Sequence, residues 1–483
     1  MNKSNLIPVL KSFSKDEIKE FEKFLNSPFF GCAKFVLKFY KVLIKYYPVF
    51  NEDDIKKEKI FGIVYKDKKY NDALTRRIIS DLIRYSEEYM TYKNFKKNDI
   101  YRSSCSLNEL RIRNLGNLFR LRSETLMKKI DNSETVDPFL ILESYFINVE
   151  MCQHRRFIRD EKMHESARMA NEDFIVFFLK VFTVNSHRIF SFHNEIKSTA
   201  VLNNAFRERF DYEGFMNDIE DYESKYSPYL KMIRYCHNIN IDYEDRISCS
   251  KLNSLISNNP GYFTNFELFE IYINLVTFYN YQNIKYDNIY LNEIFTIYSD
   301  ILKKKLFHIT NNPLQLSFCR KYISLCLLKG ETESIKKFRE DYFADFPELY
   351  KQDLSDYCDS VYFFEKKSFE RSLTAAMKIN IEKELFKKDI KILKIKNFYE
   401  LDYLDSVYSE IDNLKHYLTD SETIIPDHLK KSRNFIKYIS SVMRGKENKS
   451  GADLFVLKKE LKKERLIIEK KWLLEKIDEL SKK

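Results

Sequence analysis

Residues 327–335 read LLKGETESI, and this stretch predicts a helix end, a turn and the start of a second helix. A Leu-rich segment ends in a short basic turn, and a small residue, Ser334, follows early in the next segment. The same order recurs at Ser372 and Ser406, at spacings of 38 and 34 residues. A small residue at that position lets two helices approach closely. The recurrence therefore predicts helix pairs joined by short turns.

The composition extends this prediction to the whole chain. The 483 residues include 8 Gly and 9 Pro, whereas average usage is about 12% for the two together. The sequence has no Asn-Gly or Asp-Gly turn of the kind that hairpins use, and no Gly-rich loop of a nucleotide-binding α/β fold. Because 44% of the residues are hydrophobic, extensive disorder is not expected. We therefore expect an all-α fold.

Residues 315–420 resemble the tetratricopeptide repeat, whose period is about 34 residues. Ser stands where Ala is usual, and only Lys329-Gly330 remains of the Trp and Leu-Gly consensus positions. The whole chain also resembles a set of uncharacterised bacterial proteins through FLNSPFF at 24–30, NFIK at 434–437 and KWL at 471–473. These resemblances imply an α-solenoid of stacked antiparallel helix pairs behind a small helical N-terminal domain, and no known activity.

Local signals divide the expected helices into four regions. Ser14 and Glu17 form a predicted capping box, and Asp137-Pro138 has the pattern of a helix start. The segment from Arg444 to Gly451 is polar and contains two glycines, which predicts a flexible loop. The regions are a basic helical domain (1–100), a connecting helix (101–137), degenerate helical repeats (138–310) and tetratricopeptide-like repeats with C-terminal capping helices (311–483).

The formal charge of +10 is concentrated near the N-terminus, where residues 1–130 hold 28 Lys+Arg and 16 Asp+Glu. Such an excess is explained either by skewed codon use or by a nucleic-acid surface. Residues 60–82 resemble two helices of a winged helix-turn-helix, although no β-hairpin wing follows them. If this resemblance holds, the residues that contact nucleic acid are Thr75, Arg76, Arg77 and Arg84.

Glu161 and His164 are candidate metal ligands, because they have the Glu-x-x-His form found in di-iron bundles. Glu143, Glu150 and His154 share the phase of this pair on one continuous helix, where we expect the carboxylates to face solvent. A second Glu-x-x-His, a Cys-x-x-Cys and a Gly-x-Ser-x-Gly are all missing from the sequence. We therefore expect no catalytic, cofactor-binding or metal-binding residues, and eight free cysteine thiols.

The preferred function is a non-catalytic protein–protein interaction scaffold that binds another protein or a peptide. The alternative is a DNA-binding regulator that joins a winged-helix-like N-terminal domain to the repeats. The N-terminus lacks a secretory signal, and the longest mainly apolar run, 174–184, is shorter than the roughly 20 residues of a membrane-spanning helix. We therefore expect a cytoplasmic protein without a membrane partner, and we leave its oligomeric state open.

Overall fold

The computed structural model describes most of the chain. The described residues are 4–30, 33–66, 68–191, 209–219, 222–286, 289–307, 314–380, 384–420, 426–448 and 451–481. They contain 23 α-helices and three short 3-10 helices, and no β-strand occurs among them. The predicted all-α class is therefore confirmed.

The chain divides into two compact units, Met1–Asp211 and Tyr212–Lys483. The divisions predicted near residues 100, 137 and 310 all fall inside these units. The helices of the first unit are α1 (Leu6–Ser12), α2 (Lys15–Leu25), α3 (Lys34–Leu43), α4 (Lys57–Val64), α5 (Asp72–Lys97), α6 (Asp99–Ile112), α7 (Gly116–Asp131), α8 (Pro138–Phe157) and α9 (Met163–Ser191).

Helices α1 to α5 pack around an aromatic core that includes Phe21, Phe39 and Tyr40. The start of α2 has the predicted capping box. The Ser14 hydroxyl accepts a hydrogen bond from the Glu17 amide at 3.2 Å, and the Glu17 carboxylate accepts one from the Ser14 amide at 2.9 Å. Because both orphan donors are satisfied, the first turn of α2 needs no tertiary partner to begin.

The region 101–137 holds most of α6 and all of α7, two helices rather than the single connecting helix of the prediction. They are separated by Asn114, whose φ of 58° lies in the left-handed region. The Leu115 amide donates to the Leu110 carbonyl at 2.9 Å, which closes the end of α6. Asn tolerates this conformation better than most residues, so the turn needs no glycine.

The second unit continues with helices only. They are α10 (Tyr212–Asp218), α11 (Ser227–Ile241), α12 (Arg246–Asn258), α13 (Asn265–Tyr286), α14 (Leu291–Lys303), α15 (Leu316–Lys329), α16 (Thr332–Tyr342), α17 (Lys351–Glu365), α18 (Phe369–Ala376), α19 (Glu384–Glu400), α20 (Leu404–Asp420), α21 (Pro426–Asn448), α22 (Gly451–Lys463) and α23 (Lys470–Ser481). From α11 onward each helix packs on the next helix of a pair, as α17 does on α18 and α19 on α20. One continuous core runs from Leu302 to Ile477.

Three of these pairs share one turn geometry. Gly330, Lys367 and Asp402 follow α15, α17 and α19 with φ angles of 74°, 56° and 61°. In each turn the next amide donates to the carbonyl five residues earlier, at 2.8 to 2.9 Å, as in Schellman motifs. The recurring small residues Ser334, Ser372 and Ser406 lie in the second helix of each pair, as predicted. The repeated turn sets the direction in which each second helix leaves.

Of these three residues, Ser372 is the one that is buried between the two helices of its pair. Its hydroxyl donates to the Ser360 carbonyl at 2.7 Å, and the Ser360 hydroxyl donates to the Ser372 carbonyl at 2.9 Å. Both side chains are buried between α17 and α18. Side-chain-to-backbone hydrogen bonds in both directions require the two backbones to lie close together, which a larger side chain prevents.

The predicted loop from Arg444 to Gly451 is wrong over most of its length. Helix α21 continues to Asn448 and α22 begins at Gly451, while residues 449–450 lie outside the described part. Gly445 does not mark a loop. It lies within α21, where the absence of a Cβ lets the Leu454 side chain come close: a Cβ there would lie 2.7 Å from a Leu454 side-chain atom. The Lys446 side chain next to it forms an ion pair with Asp402.

None of the described helices combines the length and the apolar character that crossing a bilayer requires. Seven of the eight cysteines, all except Cys32, lie in the described part of the chain. These seven are free thiols, and five of them are buried.

Candidate functional site

The four residues predicted to contact nucleic acid lie on α5, but they do not form one free basic surface. Thr75 is fully buried, and its hydroxyl donates to the Asn71 carbonyl at 2.8 Å. In this conformation Thr75 cannot reach a phosphate or a base. Its burial follows from its position one turn inside the helix, on the same face as the apolar Ile78 and Leu82.

The three arginines are exposed, and two of them already have acidic partners. Arg76 forms an ion pair with Asp72 one turn earlier, and Arg84 pairs with Glu88 at 2.7 Å. No acidic partner of Arg77 occurs in the part of the chain that the structure describes. Cations bind nucleic acid by neutralising its phosphates, and an arginine that is paired with an acid is less able to do so. This helix therefore has fewer arginines ready to contact phosphate than its sequence suggests. Nucleic-acid contact by the arginines stays a prediction.

The candidate metal residues are not brought together. Glu143 was expected to face solvent, and this is wrong: it is 8% exposed, and burial raises the pKa of its carboxyl. Glu150 is also mostly covered, because it accepts hydrogen bonds from Arg111 at 2.7 Å and from Asn108 at 2.9 Å. These two carboxylates are turned inward because α8 packs against α6 as well as α9.

The histidines of the same candidate site lie elsewhere. The His154 ring lies on the Phe119 ring with centroids 4.2 Å apart, and burial together with Arg111 lowers the pKa of the imidazole. Glu161 lies in the turn before α9, and both Glu161 and His164 are exposed. The described residues contain no group of three or more His, Cys, Asp or Glu side chains placed to hold a metal ion.

A groove of about 730 Å³ lies in the first unit, where the loop before α3 meets the junction of α5 and α6. Its aromatic lining includes Phe30, Tyr92, Phe95 and Tyr101, with the Phe30 and Tyr92 rings 5.6 Å apart. One cation, Arg84, and two anions, Glu87 and Glu88, line the same groove. The groove therefore combines aromatic side chains with a small excess of negative charge.

Two groups of charged side chains in the second unit differ in how their cations are paired with anions. We call the first the paired cluster, which consists of Lys396, Glu400, Glu469, Trp472 and Lys476. The Glu400 carboxylate accepts hydrogen bonds from Trp472 Nε1 at 2.7 Å and from Lys476 Nζ at 2.8 to 3.1 Å. Lys396 Nζ lies 2.7 Å from the Glu469 carboxylate. Each buried cation of this cluster has its own anion.

We call the second group the cationic centre, which consists of Arg320 and Lys321 on α15, Lys388 and Asp389 on α19, and Lys431 on α21. The Arg320 guanidinium holds Asp389 with two hydrogen bonds, at 2.5 and 3.1 Å. Lys388 is 2% exposed, and its Nζ lies 3.8 Å from Asp389, beyond hydrogen-bond distance. Two cations, Arg320 and Lys388, therefore lie within 4 Å of the same carboxylate.

The cationic centre changes the ionisation of its own lysines. Desolvation is the main reason that the pKa of Lys388 is lowered; Asp389 offsets part of this effect, and Arg320 and Lys431 add to it. The pKa of Lys321 is also lowered, by desolvation and then by Arg320 and Lys431. Burial and the neighbouring cations therefore both act against the charged form of these two lysines.

Sequence reasoning did not find this centre. Its one visible sign is the dipeptide Arg320-Lys321 in the middle of α15, a helix that is otherwise largely apolar. The lysines on α19 and α21 lie 67 and 110 residues further on. Only the packing of the helices shows that these groups converge.

An apolar stripe lies beside the cationic centre, on α13. Phe266, Ile273 and Ile284 are all exposed, Ile284 at 86%, and their spacings of 7 and 11 residues place them on one helix face. Asn280 on the same helix accepts a hydrogen bond from Lys321 Nζ at 3.4 Å. The apolar stripe and the cationic centre are therefore connected.

Comparison with family models, with curated proteins and with solved structures finds no significant match to this chain.

Proposed function

We propose that this protein is a non-catalytic interaction scaffold and that its second unit is an α-solenoid of helix pairs. The first helices of the pairs carry the binding face, and the second helices support them. The partner is an extended segment of another protein, with apolar side chains next to acidic ones.

Contacts between first helices support this arrangement. Asn240 on α11 hydrogen-bonds Asn274 on α13, and Lys321 on α15 reaches Asn280 on α13. Polar side chains that join successive first helices form a continuous face, as stacked repeats require.

The observation that carries the proposal is the apolar stripe on α13. A Phe and two Ile residues in solvent on one face of a long helix are not explained by the core, since Leu275 and Val276 of the same helix are buried. The three side chains share one helix face at separations of about 10 and 16 Å along its axis, so they offer successive apolar contacts to an extended partner. The neighbouring cations favour a partner with acidic residues next to its apolar ones.

The test is affinity capture with the full chain, carried out with and without nuclease treatment, comparing wild type with Ile273→Asp, Ile284→Asp. We expect the protein captured by wild type to be reduced at least about tenfold by this change, because two charges replace apolar contacts.

The matched control is Ile247→Asp. Ile247 is similarly exposed, but it lies on α12, a second helix. Equal losses with both variants, or no loss with the α13 variant, would contradict the proposed binding face. Capture that depends on intact nucleic acid and on Arg76 and Arg77 would instead favour the DNA-binding alternative.

A further inference from the structure

The aromatic groove of the first unit contains a carboxylate that has no cation of its own. The Glu87 side chain lines the groove and is exposed, and no cation of the described chain lies within ion-pair distance of it. Arg84, the cation of the lining, is already held by Glu88 at 2.7 Å and also lies 3.9 Å from Asp81. The groove therefore keeps a negative charge beside its aromatic side chains.

One ring of the groove already accepts a cation from this chain. Lys96 Nζ lies over the face of the Tyr92 ring, 5.6 Å from its centre. The face of an aromatic ring carries negative potential and attracts an ammonium or a guanidinium group within about 6 Å. Within the described part of the chain Lys96 forms no ion pair, so its ammonium can leave the ring without breaking one. The Tyr92 ring and the Glu87 carboxylate thus favour the same kind of ligand, a cation on an apolar stem.

The length of the groove favours an extended chain over a small molecule. Its lining runs from Arg84 to Asn98, along α5 and the residue that ends it. A helix rises about 1.5 Å per residue, so this stretch is about 21 Å long. An extended chain advances roughly 3.3 Å per residue, so about six residues fit along it. A free organic cation would fill only a small part of this length.

We propose that the groove binds an extended segment of another protein in which arginine or lysine side chains stand next to apolar ones. The Glu87 carboxylate pairs with a basic side chain. The Phe30 and Tyr92 rings, 5.6 Å apart, form one apolar contact. The Phe95 and Tyr101 rings, 5.9 Å apart, form a second. This site does not rest on the scaffold function proposed above, because that binding face lies in the second unit and the groove in the first.

The experiment is a fluorescence anisotropy titration of labelled hexapeptides with the full chain, at about 150 mM salt, where bulk electrostatic attraction is screened. The basic peptide is Gly-Leu-Arg-Leu-Arg-Gly, and its neutral counterpart is Gly-Leu-Gln-Leu-Gln-Gly. We expect the basic peptide to bind with a Kd below about 100 μM and the neutral one to bind at least about tenfold more weakly. Only the basic peptide offers cations to the carboxylate and the rings.

The carboxylate is tested by Glu87→Lys, which should weaken binding of the basic peptide at least about fivefold, because repulsion replaces attraction. The matched control is Glu52→Lys. Glu52 is also an exposed acid of the first unit without an ion pair among the described residues, but it lies before α4, outside the groove. It makes the same change in net charge and should shift the Kd by less than about twofold.

The ring is tested by Tyr92→Leu, which keeps an apolar side chain and removes the aromatic face. It should weaken binding of the basic peptide roughly two- to fivefold and leave the neutral peptide unaffected. Lys96→Met removes the ammonium that competes for the same ring, so it should tighten binding of the basic peptide by about twofold. A Tyr92→Leu variant that binds both peptides as wild type does would contradict the role given to the ring.

Equal affinity for the two peptides, no binding up to about 1 mM, or equal losses in Glu87→Lys and Glu52→Lys would overturn the proposal. A single-stranded oligothymidylate of about ten nucleotides tests whether bases stack on the rings instead. If it binds more tightly than the basic peptide and is weakened by Lys96→Met, the groove binds nucleic acid and the proposal is wrong.

The scaffold variant Ile273→Asp, Ile284→Asp should leave binding of the basic peptide unchanged, because α13 belongs to the second unit. A loss in this variant would place the peptide on the second unit and overturn the groove as its site. Conversely, Glu87→Lys should leave partner capture through α13 intact, so the two proposals can fail independently.

Discussion

Lys476 and Lys388 are the same amino acid, in the same unit, at nearly the same burial, 4% and 2% exposed, yet their ionisation is shifted in opposite directions. Desolvation acts against the charge of both. For Lys476, hydrogen bonds to Glu400 and Glu479 overcome it and raise the pKa. For Lys388, Asp389 offsets it only in part and the pKa is lowered. Burial alone therefore does not decide the state of a lysine; the anions within reach do.

The two regions consequently have different roles. The paired cluster joins α23 to α19, and it holds the C-terminal helix against the rest of the unit. In the cationic centre the Arg320–Asp389 pair joins α15 to α19, while the pKa of the neighbouring Lys388 is lowered by desolvation and by the cations around it.

The largest effect is expected from breaking the paired cluster. Glu400→Leu removes the acceptor shared by Trp472 and Lys476, and it leaves a buried ammonium with fewer partners. We expect the free energy of unfolding to fall by about 3 kcal/mol. Urea unfolding followed by the fluorescence of Trp472, the only tryptophan, measures this loss.

The control for this change is Glu475→Gln, because Glu475 also faces Lys476 but is 47% exposed and 3.7 Å away. It should lower the free energy of unfolding by less than about 0.5 kcal/mol. If the two substitutions have similar effects, the paired cluster does not stabilise the C-terminal helix.

A smaller decrease in stability is expected when Asp389, the only carboxylate of the cationic centre, is replaced. Asp389→Asn leaves Arg320 without a charged partner and increases the repulsion among the lysines. We expect the free energy of unfolding to fall by about 2 kcal/mol in chloride buffer. The matched change Asp405→Asn, at an exposed position on α20, should have almost no effect. Equal urea midpoints for the two variants would refute the role given to Asp389.

The smallest expected effect is a gain in stability. Lys388→Met replaces the buried ammonium with an apolar side chain of similar length, and it should raise the free energy of unfolding by about 1 kcal/mol. Lys430→Met serves as the control and should leave this quantity unchanged. A destabilised Lys388→Met variant would mean that the ammonium has a structural partner.

The advantage of Lys388→Met should depend on pH. The pKa of Lys388 in the folded protein is below its unfolded value, 10.5. Between these two values the unfolded chain binds more protons, so the wild type gains stability as the pH rises. The difference in unfolding free energy between variant and wild type should therefore shrink as the pH approaches 10.5, which urea titrations at several pH values measure. A difference in unfolding free energy that does not change with pH would contradict the lowered pKa of Lys388.

Local sequence determined most of the secondary structure. The capping box at Ser14 and Glu17, the helix start at Pro138 and the small residues Ser334, Ser372 and Ser406 were all predicted correctly, because each depends on neighbours within one or two helical turns. The low content of glycine and proline excluded hairpins for the same kind of reason, since turns are local structures.

Tertiary structure decided what the charged and small residues do. Glu143 and Thr75 look like exposed positions in the sequence, but helices distant in the chain cover them. Gly445 looks like a loop residue, but it lies within a helix because Leu454 packs against it. Lys388 and Lys476 each have an acid directly beside them in the sequence, Asp389 and Glu475. They differ because packing brings Glu400 of α19 to Lys476. Electrostatic interactions depend on distance in space and on burial, and neither quantity is set by position along the chain.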